Sequence, residues 1–261
     1  MIDATRYLAD QDNEWNRLLC SDPLSLHIDK SVILREYSEL FKKILPKNEQ
    51  FKALEVGCGT GLWLWYFNKF FSYTVYGIDI LASAVELANR NLQHLGVRNR
   101  NLIRKNFLTY DNADFFDFVY SFGTIEHFQD PVIFLNKCDS LLKKGGHLLV
   151  EVPHFSFINK AIMRMGQSRT RYKRYLDVHN VAILSLNKFK RLINSTLGGS
   201  YETLYLDTAG IFDVTVYNIS AFQEPARYKK MRERIYASGK ILKFLRLKSI
   251  SPGLIFIGKK K

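Results

Sequence analysis

The chain has 261 residues, 47% hydrophobic and 24% charged, enough for one α/β domain with insertions and a real core, and unlike a disordered or fibrous composition. No apolar run reaches the ~18 residues of a membrane-spanning helix, and the polar, acidic stretch from Met1 to Asp12 does not read as a signal peptide. Cys20, Cys58 and Cys138 are far apart, odd in number and without ligand spacing, which points to a reducing cytoplasm and away from disulfides or structural zinc.

The net charge of +13 is unevenly placed. Lys and Arg balance Asp and Glu through residue 153, whereas residues 154–261 carry 21 basic against 6 acidic side chains. A field of that sign attracts anions. Small phosphorylated or carboxylated molecules, nucleic acid and anionic lipid all answer to it, as does a merely solvated basic surface.

In chain order, residues 5–20 and 24–45 read as helices; Leu26, Val32, Ile33, Tyr37, Leu40, Phe41, Ile44 and Leu45 keep a 3.6-residue period, and Pro46 ends it. An alternation of strands and helices follows. The strands are Lys52–Val56, Tyr73–Ile78, Asn101–Lys105, Phe116–Ser121 and His147–Val152. The helices between them are Leu62–Phe71, Leu81–Leu95 and Pro131–Leu142, with Lys143–Gly146 as a turn. Such alternation implies a parallel sheet with right-handed crossovers. Residues 154–180, with the basic run Arg164–Arg174, read as a loop or lid. A helix at Ser185–Asn194 and strands at Tyr201–Leu206 and Leu254–Ile257 complete the pattern. Within the insertion 208–252, Tyr228, Met231, Ile235, Leu242 and Leu245 share a helical face at about 226–247. That face suits packing across the sheet edge or lying on an anionic membrane surface.

The most informative segment is Leu54-Glu-Val-Gly-Cys-Gly-Thr-Gly61, followed by Asp79 at the tip of the next strand. Glycines let a ligand approach the backbone, and a carboxylate at a second-strand tip accepts ribose hydroxyls. A dinucleotide fingerprint needs a third glycine where Leu62 stands, and a P-loop needs Lys-Ser/Thr where Leu62-Trp63 stands. Glu55 would repel a pyrophosphate and welcome a cation. The ligand read from these residues is a cationic nucleoside without phosphate, and S-adenosylmethionine fits.

Together with Tyr76-Gly-Ile-Asp79, Phe116 through Pro131 and Leu141 through Pro153, this segment resembles the class I S-adenosylmethionine-dependent methyltransferases. The resemblance runs from about Phe51 to Pro153 and resumes near His179 to Asp207. It implies a doubly wound, seven-stranded, mostly parallel sheet of Rossmann-like methyltransferase type. The last strand would run antiparallel between the fifth and sixth. An N-terminal helical cap, 1–50, would lie over the cofactor, and the methyltransferase domain, 51–261, would carry substrate-side insertions at about 154–180 and 208–252.

By position, Glu55, Gly57, Cys58, Gly59 and Gly61 are expected along the methionine part and ribose edge. Asp79 is expected on the ribose, Ile80, Asn106 and Phe107 near the adenine, and Ser121 and Phe122 beside the methionine moiety, with Glu126 positioning groups there. Three histidines near strand ends, His127, His154 and His179, are candidates for the base. The Glu126-His127 pair with His179 resembles the O-methyltransferases of ubiquinone biosynthesis. There, a Glu three residues earlier joins a metal site. Gly123 stands in that place here, and no metal is expected. Arg169 and Arg171, with Tyr172 and Tyr175, are candidates to clamp and stack an anionic acceptor.

The expected activity is methyl transfer to a small, anionic acceptor at a hydroxyl oxygen. N-methylation of a small amine and methylation of RNA through the basic half are the alternatives. A non-catalytic cofactor-binding or peripheral membrane module is a third. The chain lacks the Asn/Asp-Pro-Pro-Tyr/Phe and prolyl-cysteine signatures of nucleic-acid enzymes.

Overall fold

A computed structural model describes residues 32–166, 168–210, 248 and 251–261. The sequence-predicted helices at 5–20 and 226–247, and most of the insertion at 208–252, lie outside the described residues. Among the described residues, no helix is long and apolar enough to cross a membrane.

Seven strands form one sheet: β1 (Lys52–Val56), β2 (Thr74–Asp79), β3 (Arg100–Arg104), β4 (Phe116–Phe122), β5 (Leu142–Pro153), β6 (Tyr201–Ala209) and β7 (Gly253–Lys260). Their order is β3-β2-β1-β4-β5-β7-β6. The first five run parallel, and β7 is antiparallel to both β5 and β6. This is the doubly wound, mostly parallel sheet expected from the sequence. Chain order reverses between β1 and β4, which makes their carboxyl ends the switch point where such sheets bind ligands.

Helices α1 (Val32–Ile44), α2 (Leu62–Phe71), α3 (Ala82–His94), α4 (Pro131–Leu141), α5 (Phe157–Gly166), α6 (Arg169–Val178) and α7 (Leu186–Leu197) cover the two faces. Each boundary has a local cause. Gly61, at φ 76°, turns the chain into α2, and Ser72, at φ 64°, ends it in the left-handed conformation. Asp130 caps α4 by accepting from the Val132 amide, with Pro131 in the first turn. β5 begins earlier than the sequence suggests: Lys143–Gly146 lies inside the strand. Gly145, at φ 78°, and a register irregularity between Phe116 and Phe118 absorb the turn as a bulge.

Residues 154–180 were expected as a loop and fold as α5 and α6. Their apolar contacts, Met163 in α5 and Tyr172, Tyr175 and Leu176 in α6, reach the core, but they are interleaved with so many basic residues that no apolar stripe stands out in the sequence.

One core holds α4 and α7 against one face of the sheet. The other holds α1 and α2. In the second, Phe41 is fully buried among Trp63, Tyr66, Phe67 and Phe122, with ring centroids 5.7–6.2 Å away. Tyr66 Oη donates to Ser38 Oγ at 2.8 Å, and Tyr73 Oη donates to the Pro46 carbonyl. These contacts lay α1 along the sheet, with Tyr37 and Phe41 beside Phe122 at the switch-point end and the residues after the helix held by Tyr73 at the opposite end.

Candidate active site

A cavity of about 550 Å³ opens at that switch point, within the range of small-molecule sites. Its floor is Glu55–Thr60, the last two residues of β1 and the turn that follows. Ile78–Leu81 close one side, Lys105–Leu108 another, and Phe122–Thr124 with His127 and Phe128 the far end. Trp63 lines it too, its ring stacked on Phe122 at 4.1 Å.

The glycine turn is a shaped cradle. Gly57 has φ 77°, and a Cβ added there would stand 2.3 Å from Thr124 Oγ1. The hydroxyl of Thr124 in turn donates to the Val56 carbonyl at 3.1 Å. Asp79 Oδ2 accepts from the Gly59 amide at 3.2 Å and Oδ1 from the Leu81 amide at 3.1 Å. Burial raises the Asp79 carboxyl and those backbone donors pull it back. Asp79 therefore braces the glycine turn and the start of α3 while facing the cavity. Glu55 is buried, and its Oε2 has no hydrogen-bond partner. Burial, and then the charge of Asp79, hold its carboxyl well above the usual range. A backbone bond from Leu64 partly satisfies this carboxyl, and a buried oxygen left unpartnered beside a cavity is costly unless a ligand satisfies it. Cys58, also buried, has its thiol raised well above the ordinary value by burial and then by Asp79 and Glu55, so it is an inert wall residue.

The remaining expected residues divide. Ile80, Phe107 and Phe122 line the cavity. Asn106 does as well, but its side-chain oxygen accepts from the Leu108 amide at 3.0 Å, so it also serves a local turn. Gly61 is a helix entry behind the floor, where an added Cβ would stand 3.3 Å from Ala88. Ser121 is fully buried with its hydroxyl unpartnered and lies behind the wall.

The structure gathers two of the three histidines. His127 sits at the cavity's far end. Asn180 ties its own segment to that turn, its amide donating to the Glu126 carbonyl at 2.6 Å and its side chain to the carbonyls of Phe128 and Gln129. This brings the ring of His179 to 4.7 Å from that of His127. His179 stacks on Tyr175, and its Nδ1 lies 2.7 Å from the Tyr175 carbonyl. Desolvation lowers both imidazoles, His179 to about 4 with the help of His127, although His127 is exposed. His154 lies elsewhere. It is buried, with Nδ1 3.0 Å from the Ser251 carbonyl and its amide donating to the Pro252 carbonyl, while Asn159 bonds the carbonyls of both His154 and Ser251. That is a latch between the end of β5 and the start of β7.

Arg169 is exposed, and neither it nor Tyr172 or Tyr175 lines the cavity; the two tyrosine rings pack near Phe155. The side chain of Arg171 is outside the described set.

Glu126, His127 and His179 offer ligand atoms within 4.8 Å of one another. Gly123 supplies no fourth donor: it has φ 63°, and a Cβ there would face Glu126 Oε1 at 3.5 Å. Burial also raises the Glu126 carboxyl well above the usual range, favouring its neutral form. The set therefore lacks the fourth donor of the metal site that the ubiquinone-type resemblance implies.

Three residues at this end of the sheet escaped the sequence reading. Thr124 locks the glycine cradle, Tyr37 of α1 donates to Glu151 Oε1 at 3.1 Å, and Glu151 lies near the tip of β5.

A switch-point cavity, a glycine cradle with no phosphate clamp, a strand-tip carboxylate and a half-satisfied acid on the floor define the class: S-adenosylmethionine-dependent methyltransferases. The cofactor of that class fits the site, since a cationic ligand satisfies Glu55 and a ribose reaches Asp79. A family model described as Methyltransferase domain matches residues 26–191, and the chain belongs to that family. It is 29% identical over 147 residues to a ubiquinone biosynthesis O-methyltransferase of Rhodopseudomonas palustris (strain TIE-1), covering 56% of each chain. It is 24% identical over 191 residues to a tRNA U34 carboxymethyltransferase of Idiomarina loihiensis, covering 67% of this chain and 50% of that one. The chain thus spans about half the length of the curated relatives it matches. Among solved structures, geranyl diphosphate C-methyltransferase from Streptomyces coelicolor A3(2) superposes with a TM-score of 0.63 at 14% identity, covering 99% and 100% of the two chains. A SAM-dependent methyltransferase from Aquifex aeolicus gives 0.58 at 13%, covering 96% and 98%. At such identities the likeness is one of fold.

Proposed function

We propose that the protein is an active S-adenosylmethionine-dependent methyltransferase that methylates a hydroxyl oxygen of a small, anionic acceptor. When bound, the cofactor supplies an electrophilic methyl group, and no redox partner is needed. The observation that carries the reading is the far end of the cavity. Two imidazoles whose basicity is lowered by desolvation stand together there, His179 half-buried and His127 exposed on the cavity wall. A neutral imidazole accepts a hydrogen bond from a hydroxyl and orients its oxygen, whereas a protonated one would repel a cationic cofactor. The ubiquinone biosynthesis O-methyltransferases among the relatives support oxygen as the target. The basic excess of residues 154–261 supports an anionic acceptor.

In this reading Glu55 meets the cofactor's cationic end, Asp79 the ribose, and Ile80 and Phe107 the adenine. Residues 1–50 act as a cap and 51–261 as the catalytic domain, working in a reducing cytoplasm that keeps buried Cys58 and Cys138 as thiols. The test is transfer of labelled methyl from S-adenosylmethionine to a panel of hydroxyl, amine and RNA acceptors, with products located by mass spectrometry. Methyl recovered on oxygen of an anionic hydroxyl compound supports the reading. Methyl recovered only on nitrogen or RNA, or none at all, overturns it.

A further inference from the structure

The cavity wall beside Glu55 is aromatic. Phe122 ends β4 and Trp63 stands in the first turn of α2, and both line the cavity. Glu55 is in register with Tyr120, and residues two apart on a strand share a face. Phe122 therefore leaves the sheet on the same face as Glu55, the face that α2 covers. Glu55 is tied to that helix too, accepting from the Leu64 amide next to Trp63. The acid and the two rings thus meet around the start of α2.

The rings of Phe122 and Trp63 are parallel within 12°, with centroids 4.1 Å apart. Each gives one face to the other. Phe41 and Tyr66 also pack steeply against Trp63, at 5.8 and 5.4 Å, and leave it 9% exposed. Phe122 is the less buried of the two and faces the cavity with Trp63 packed against it. Among the described residues no lysine or arginine sits on this pair; the ring-bound cations lie over Phe70, Phe115 and Phe155. The aromatic wall is left for a cation that comes with the ligand.

We propose that Phe122, backed by Trp63, recognises the sulfonium of S-adenosylmethionine and so makes the site favour the charged cofactor over its neutral product, S-adenosylhomocysteine. The proposal rests on the placement of the cofactor's cationic end at Glu55 and requires nothing of the acceptor. A sulfonium has no N–H or O–H to donate, so it cannot hydrogen-bond to a carboxylate. An aromatic face attracts it through the ring quadrupole, more strongly where water is excluded. On methyl transfer the carbon–sulfur pair stays with sulfur and that charge disappears. The amino group of the ligand stays charged before and after, so Glu55 alone separates the two forms poorly. The ring pair separates them by the one group that changes.

The experiment measures by calorimetry the affinities of wild type, Phe122→Leu, Phe122→Tyr and Trp63→Phe for three ligands. They are S-adenosylmethionine, S-adenosylhomocysteine and sinefungin, in which an ammonium group replaces the sulfonium. Tryptophan emission is followed in the same titrations, and Trp63→Phe identifies the part that belongs to Trp63. Phe122→Leu is expected to lower the affinity for both cationic ligands relative to S-adenosylhomocysteine by about 2- to 30-fold. Retained affinity for S-adenosylhomocysteine certifies its fold, and Phe122→Tyr, which keeps the ring, should restore the ratio. The two cationic ligands should shift the emission of Trp63 and the neutral one should not. That part needs no leucine variant and decides even if Phe122→Leu does not fold. A merely structural role of the pair would weaken all three ligands alike. An unchanged ratio in Phe122→Leu, an equal loss for all three ligands, or equal emission shifts by all three overturns the proposal and leaves the cofactor reading standing. A wild type that binds none of the three overturns both.

Discussion

Replacing Gly57 with Ala tests whether the cradle is held by backbone conformation, by space, or by both. At φ 77° an alanine pays about 1–2 kcal/mol for the left-handed conformation. Its Cβ would also stand 2.3 Å from Thr124 Oγ1 and 3.0 Å from Thr124 Cγ2. Thr124 must then move, breaking its bond to the Val56 carbonyl at about 1 kcal/mol. The expected loss of stability is about 2–3 kcal/mol. Gly96→Ala is the control, because Gly96 has nearly the same φ, 75°, and nothing within 4 Å of an added Cβ. It should lose only the conformational part, about 1–2 kcal/mol. Denaturant unfolding of both variants isolates the steric part. Because Thr124 is cavity wall, calorimetric titration with S-adenosylmethionine should show affinity at least about tenfold weaker in Gly57→Ala, equivalent to ~1.4 kcal/mol, and unchanged in Gly96→Ala. Equal stability losses and equal affinities would refute the account of a cradle shaped against Thr124.

Phe41→Ala should cost about 3–5 kcal/mol in unfolding free energy, the price of a cavity in a fully buried aromatic cluster; a loss below ~1 kcal/mol would show that α1 is not clamped as described. The raised Glu151 carboxyl has a signed consequence for stability. Its folded value of about 7 against an ordinary 4.5 means that the native state holds the extra proton. Its contribution is therefore complete below pH 4.5 and is lost as pH rises through 7. Thermal unfolding from pH 4.5 to 8 should fall more steeply in wild type than in Glu151→Gln, by at most ~3 kcal/mol because the carboxyl is partly exposed. Parallel curves would contradict the shift.

The parts of this molecule that were legible in the sequence are the local ones. The turn at Gly57–Gly61 and the acid at Asp79 are 18 positions or more apart, yet each is a strand-end feature whose meaning is set by its neighbours, and the alternation of strands and helices places them together at the switch point. The antiparallel β7 followed from resemblance rather than from periodicity. What stayed hidden depends on distant pairing. Tyr37 and Glu151 are 114 residues apart, and nothing near either one signals the other. His154 looked like a strand-end base because its partners, Ser251 and Pro252, come from the far side of the long insertion. Ser121 shares the strand tip with Phe122, but the side chains of a strand alternate, and its hydroxyl fell on the buried side. Tyr172 and Tyr175 stood out as stacking partners among arginines, while the helix they lie on turns them toward Phe155.

The central claim is that the switch-point cavity holds S-adenosylmethionine through Asp79 and Glu55. The most direct measurement is calorimetric titration of the chain with S-adenosylmethionine beside Asp79→Ala. Micromolar binding to wild type, lost in a variant that still unfolds cooperatively, is the expected result. No binding to wild type, or undiminished binding to Asp79→Ala, would contradict the account.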